Sequence, residues 1–193
     1  MNTINKTTVS QPWGLTFIRA ALVMGVGLLL FLAGNAYLLT TKRLMGLGLL
    51  LAGVLAIRFW QLSKESGASD VWLLVNGLVD GLIGLGLLLY PTQPLPAIVF
   101  FFSFWGVLLG VLGAVETIFI FLGLQDASRA ATDFSLVLLN AVGMLVGGGL
   151  AFLLLMQPLG VGSIHYAGLL VVALGILLAL ESRNLKRDAQ PPA

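Results

Sequence analysis

Six apolar runs, each long enough to cross a bilayer, occupy most of this 193-residue chain, and they decide which solvent it can fold in before any motif is considered. A bilayer's hydrocarbon core is roughly 30 Å thick and a helix rises about 1.5 Å per residue, so about 20 mostly apolar residues make one crossing. The runs cover residues 20–39, 44–62, 71–90, 97–115, 134–156 and 164–180. Lipid offers a bare backbone no hydrogen-bond partner, so a spanning segment is either a helix or a strand of a closed barrel. These runs are too long and too continuously apolar for alternating barrel strands. The expected fold is an all-α integral membrane protein with six transmembrane helices.

The composition, 59% hydrophobic and 9% charged, lies outside the usual balance of a water-soluble domain. Residues 1–193 are expected to form a single six-span membrane domain. The connections at 40–43, 63–70, 91–96, 125–133 and 157–163 are too short for a second one. The first run is longer than a signal-peptide core and lacks a small-x-small cleavage site, so it is expected to stay as the first span. A formal charge of +2 with no basic cluster gives no sign of a nucleic-acid partner. The absence of cysteine excludes disulfides, thiolate metal sites and a cysteine nucleophile. The partners expected instead are the lipid bilayer, further copies of the chain or another membrane protein.

Six crossings put both termini on one side. Lys6, Arg19, Arg58, Lys64, Arg129, Arg183, Lys186 and Arg187 then share the face of the termini, with only Lys42 and Arg43 opposite. The excess of positive charge places both termini in the cytoplasm. The outer connections without positive charge, 91–96 and 157–163, contain prolines that stop a helix. Trp13, Trp60 and Trp72 fall near the inner boundary and Tyr37, Tyr90 and Tyr166 near the outer one, as amphipathic rings prefer.

Placing the third run on the fifth aligns Asn76 with Asn140 and Gly84 with Gly148, and the fourth on the sixth aligns Gly110 with Gly175 and Glu116 with Glu181. The second and third hairpins thus look like copies of one unit. The first fits less well, having Gly53 before Arg58 where the others have glycine before glutamate. The expectation is three repeated helical hairpins packed against one another. Within WLLVNGLVDGLIGLGLLLYP, Trp72, Gly77, Asp80, Gly84 and Pro91 resemble the helix signature of HdeD-type acid-resistance membrane proteins. The resemblance covers the whole chain in length and span number and is residue-specific over 71–91. No proline follows the first run, and Pro158 comes three residues later than the repeat requires. The resemblance implies a short-repeat, six-helix protein of the bacterial inner membrane, linked to acid stress, with no established catalytic reaction.

Asp80 is the most informative single residue. Nine residues beyond Val71, it sits about 13 Å deep, near the bilayer centre. Insertion scales charge an aspartate there roughly +2.5 to +3.5 kcal/mol, so it is expected to face protein or a wet cavity. Asn76 lies at i,i+4 on the same helix face. Asp80 serves either as a proton or cation relay or as an interhelical hydrogen-bond partner, with Asn76, Asn140, Asn35, Arg58 or Arg19 as candidate neighbours. Arg58 lies about 9 Å inside the core, where its side chain either reaches Asp80 or snorkels outward. Glu116 lies near the inner boundary, but the apolar residues after it suggest that the fourth helix tilts or continues along the interface.

Glycine pairs at 77/81, 106/110 and 143/147 have the spacing that lets helix backbones approach closely. The 147–149 glycines lack the Lys-Ser/Thr of a phosphate loop. His165, the only histidine, sits at the outer end of the sixth run, where external pH could titrate it. A lone imidazole completes no metal site, and no nucleophile, base and orienting group share a depth. The reading is a nonenzymatic membrane protein with no cofactor, no metal and no catalytic residue. The alternative is a small proton, ion or solute transporter or channel using Asp80. The topology is checked by reporter fusions: a cytoplasmic reporter is expected to be active at the C-terminus, and a periplasmic one silent.

Overall fold

The computed structural model describes residues 13–32, 38–65, 71–90, 94–123, 130–156 and 161–188. Among these the chain is all-helical, with α1 (Trp13–Phe31), α2 (Leu38–Glu65), α3 (Val71–Leu89), α4 (Pro94–Gly123), α5 (Ala130–Met156) and α6 (Val161–Asp188). Five of the six are long and apolar enough to cross a membrane, and α5 is apolar over Ala141–Leu155. Proline opens α4, where its missing N–H would have had no helical partner. Backbone bonds from Leu32 to Leu28 and from Tyr90 to Gly86 carry α1 and α3 one residue further. The hydroxyls of Ser103 and Thr117 donate to the carbonyls of Val99 and Gly113 one turn earlier, satisfying themselves inside their own helix.

All the helices but α3 extend beyond the apolar runs read in the sequence at one end or both, and two of these differences bear on the charged residues. α1 begins at Trp13 rather than Ala20, which puts Arg19 in its second turn, where a carboxylate neutralises the charge that had marked the edge of the apolar run. Residues 40–43 are not a connection but lie inside α2. Lys42 is buried there, and its Nζ donates to the carbonyl oxygen of Tyr90 at 2.7 Å. The ammonium therefore closes the C-terminal end of α3, the negative end of that helix's dipole. α2, α4, α5 and α6 run long, with α4 at 30 residues spanning about 45 Å against about 28 Å for the 19-residue α3. The continuation of α4 past Glu116 follows.

The closest helix pairs are α1 with α6, α2 with α3, and α4 with α5. The tight contacts thus join α2 to α3 and α4 to α5 and close into a ring, because α6 returns to α1. Each pair meets through glycine in the same way. A β-carbon on Gly46 would lie 2.9 Å from the carbonyl oxygen of Gly84, one on Gly106 2.7 Å from that of Gly147, and one on Gly168 2.8 Å from that of Gly27. Those distances leave no room for a side chain between the backbones. By contact, Gly84 corresponds to Gly147 rather than Gly148, and Gly106 to Gly168, so the pairing of Gly110 with Gly175 is displaced by three residues. That is nearly one helical turn, which leaves the same face forward and allows the displaced sequence match.

All six helices feed one buried cluster, including Val26, Leu49, Leu87, Phe102, Leu150 and Val171. A smaller cluster of Ala56, Phe59 and Leu73 lies against Leu15 and Trp60. The outward surface is as apolar as the interior: Leu32, Leu82, Leu89, Leu145 and Phe152 are among its exposed side chains. An apolar patch of that extent suits lipid rather than water.

Two glycine substitutions separate close approach from open space. In Gly53→Val, the β-carbon would stand 2.5 Å from the Gly77 oxygen and 2.6 Å from the Gly81 nitrogen, and a loss of about 1–3 kcal/mol is expected from forcing α2 off α3. Gly25 has nothing within 4 Å, and Gly25→Ala is expected to change stability by less than about 1 kcal/mol. Unfolding of the purified variants in detergent measures both.

Candidate functional site

Asp80 lies midway along α3, between the glycines that let α2 approach, and is 1% exposed. Its Oδ2 accepts from Arg19 Nη2 at 2.7 Å and from Nε at 3.3 Å, and its Oδ1 accepts from Trp105 Nε1 at 2.9 Å. Arg19 is 5% exposed and Trp105 2%. Both oxygens of the central carboxylate are therefore engaged, and α1, α3 and α4 are joined at one point although α1 and α3 are not among the closest pairs. Each charge would be costly alone in an apolar bundle. Together they are formally neutral and hydrogen-bonded, the condition under which buried ions are tolerated.

The ion pair forms part of the wall of a cavity of about 120 Å³ lined from five helices, all but α2. Asn76, one turn before Asp80 on the face its spacing implied, lines this cavity, as do Glu116 of α4 and Glu181 of α6. Val23, Leu109, Met144, Leu174 and Leu177 supply apolar wall, and Gly143 opens one side. α4 and α6 both run toward the end of the bundle that holds the start of α1, so the two glutamates stand nearer that end than the ion pair does.

Of the residues singled out in the sequence, Arg19, Asn76, Asp80 and Glu116 come together here. Arg58 does not. It is exposed and donates to Gln61 Oε1 at 3.3 Å, the outward-pointing alternative for this side chain. Arg19 takes the place beside Asp80 because α1 enters the bundle with its second turn level with the middle of α3. The side chains of Asn140 and Asn35 lie outside the described residues. His165 is remote from the cavity, at the opposite end of the bundle. Its Nδ1 meets the carbonyl oxygen of Phe31, and its ring packs edge-on to that of Phe31 at 5.8 Å. The contact closes the C-terminal end of α1 from α6.

Two cavity residues were missed. Trp105 was the one tryptophan not placed at a membrane boundary, and an indole N–H in mid-helix is itself a signal, since it needs an acceptor when buried. Glu181 was visible only as the repeat partner of Glu116. Comparison of the chain with family models, with curated proteins and with solved structures returns no match.

The ion pair generates a graded prediction. Arg19→Ala leaves a buried carboxylate without its cation and is expected to cost about 3–5 kcal/mol. Trp105→Phe removes one hydrogen bond to a charged group and is expected to cost about 1.5–3 kcal/mol. The apolar replacement Arg19→Met with Asp80→Leu is expected to recover most of the single-variant loss, because no charge is left buried. Unfolding free energies combined in a double-mutant cycle provide the check, and additive single losses would contradict the pairing.

Proposed function

We propose that this chain is a nonenzymatic multi-pass protein of the bacterial inner membrane, of HdeD type, with six spans arranged as three repeated hairpins and both termini in the cytoplasm, and that it supports survival under acid or envelope stress. The observation that carries the nonenzymatic, packing-based part of this reading is the engagement of Asp80: with Oδ2 on Arg19 and Oδ1 on Trp105, the deep carboxylate serves as a tie between three helices rather than as an exchangeable proton or ion site. The recurrence of one glycine contact at α2/α3, α4/α5 and α6/α1 supports the three-hairpin arrangement. The five long apolar helices support the membrane setting. The resemblance at Trp72, Gly77, Asp80, Gly84 and Pro91 supplies the link to acid stress.

A second reading, a small proton, ion or solute transporter or channel, is favoured by one observation: Asp80 borders a cavity that Asn76, Glu116 and Glu181 also line. Deleting the gene in its host is expected to lower survival after acid challenge much more than growth at neutral pH, with recovery on complementation. Purified protein in liposomes is expected to pass no protons, ions or solutes across a pH step. A deletion strain that survives acid like its parent but loses uptake or export of a defined solute would put the transporter in place of the stress protein.

A further inference from the structure

Polar side chains reach the cavity beside the Arg19–Asp80 pair from α1, α3, α4 and α6. The charged ones, Arg19, Asp80, Glu116 and Glu181, all have partners. Asn76 differs. Among the described residues nothing donates to its side chain or accepts from it, yet its amide is not sealed off as the buried hydroxyl of Thr16 is. Two N–H donors and a carbonyl oxygen therefore face the open cavity. An apolar cavity stays dry, whereas a polar one admits water at about 10–15 Å³ per molecule, so about 120 Å³ holds roughly eight to twelve.

Packing decides from which end that water comes. Val26, Ile83, Phe102 and Val171 stand three residues beyond Val23, Asp80, Trp105 and Leu174, toward the end of the bundle that holds His165. Leu150 lies on the same side of Met144, and all five are at most 3% exposed. Every helix that lines the cavity thus adds a side chain to a closed core behind it. In the other direction the lining continues past Asn76 to Leu73, seven residues and about 10 Å from Asp80. The rings of Trp72 and Phe119 meet at 5.7 Å across the flank between α3 and α4. We propose that the cavity is a blind aqueous vestibule, open to water and small water-soluble molecules only from the end of the bundle that holds the start of α1. It stops at the tie of Arg19, Asp80 and Trp105, so the barrier to permeation is confined to the half of the bundle beyond that tie. The vestibule rests on the membrane reading and is independent of the stress role.

The chain has no cysteine, so single cysteines report access by water without background. Asn76→Cys and Leu177→Cys place a thiol on the cavity wall, Val171→Cys in the core behind it and Leu145→Cys on the outward apolar surface. Lys64→Cys and Arg43→Cys, at exposed positions, mark the two ends of the bundle. The full chain in sealed vesicles meets silver ion, a small water-soluble thiol reagent, from one side at a time, and the remaining thiol is counted with a maleimide after unfolding. From the side that modifies Lys64→Cys, the two cavity cysteines are expected to react about tenfold or more faster than Val171→Cys and Leu145→Cys. From the side that modifies Arg43→Cys, they are expected to react only at the Val171→Cys rate. Gly143 lines the cavity and its β-carbon position meets nothing within 4 Å, so adding Gly143→Leu is expected to slow Asn76→Cys about tenfold at an unchanged unfolding temperature. That slowing separates entry through the cavity from local unfolding. Cavity cysteines no faster than Val171→Cys, equally fast from both sides, faster from the Arg43 side or unslowed by Gly143→Leu would each overturn the vestibule. Fast reaction of Leu145→Cys would overturn the membrane reading, and the vestibule with it.

Discussion

An arginine and an aspartate buried side by side impose the constraint around which this bundle is arranged. Neither charge is affordable alone among apolar helices, so α1 and α3 must hold their second turn and their midpoint at one level, and α4 must bring its indole to the same place. A hydrocarbon contact tolerates sliding by a turn because one leucine replaces another. A carboxylate with both oxygens engaged does not. The ion pair therefore sets the register among helices that packing alone would leave loosely specified.

Close packing is supplied elsewhere, by glycine. Helices in lipid gain no hydrophobic free energy from leaving one apolar medium for another, so they associate through backbone approach and the dispersion contacts it permits. Here the approach is concentrated at three pairs, and the third closes the chain on itself through α6 and α1. Donors from neighbouring helices then finish two exposed helix ends. Lys42 of α2 closes α3, and His165 of α6 closes α1. Both caps sit at the end opposite the glutamates, so one end of the bundle is tied while the other holds the polar cavity.

That division bears on function. The carboxylate that stands out in the sequence is bound up in structure, and the acidic residues of the cavity lie nearer the bundle end. A bundle with its central charge satisfied suits a protein whose task depends on staying packed.

How much of this was legible in the sequence follows from the range of each signal. Run length and continuity are local, and they determined the number of helices, their apolar character and the shared face of Asn76 and Asp80. They also made Asp80 a residue that had to find a partner. Which partner it found was not local. Arg58 and Arg19 were both within the expected set, and only the rotation and level of α1 against α3 chose Arg19 and turned Arg58 outward. The same nonlocality explains Lys42, whose charge reads as a loop until α3 ends beside it. It explains Glu181 too, brought to the cavity by a helix that closes the ring. Sequence by itself determined that the chain is apolar and helical, because backbone hydrogen bonding and apolar length act within each segment. Only the tertiary structure decided which charges are buried together, because that depends on how separate helices rotate and align to neutralise one another.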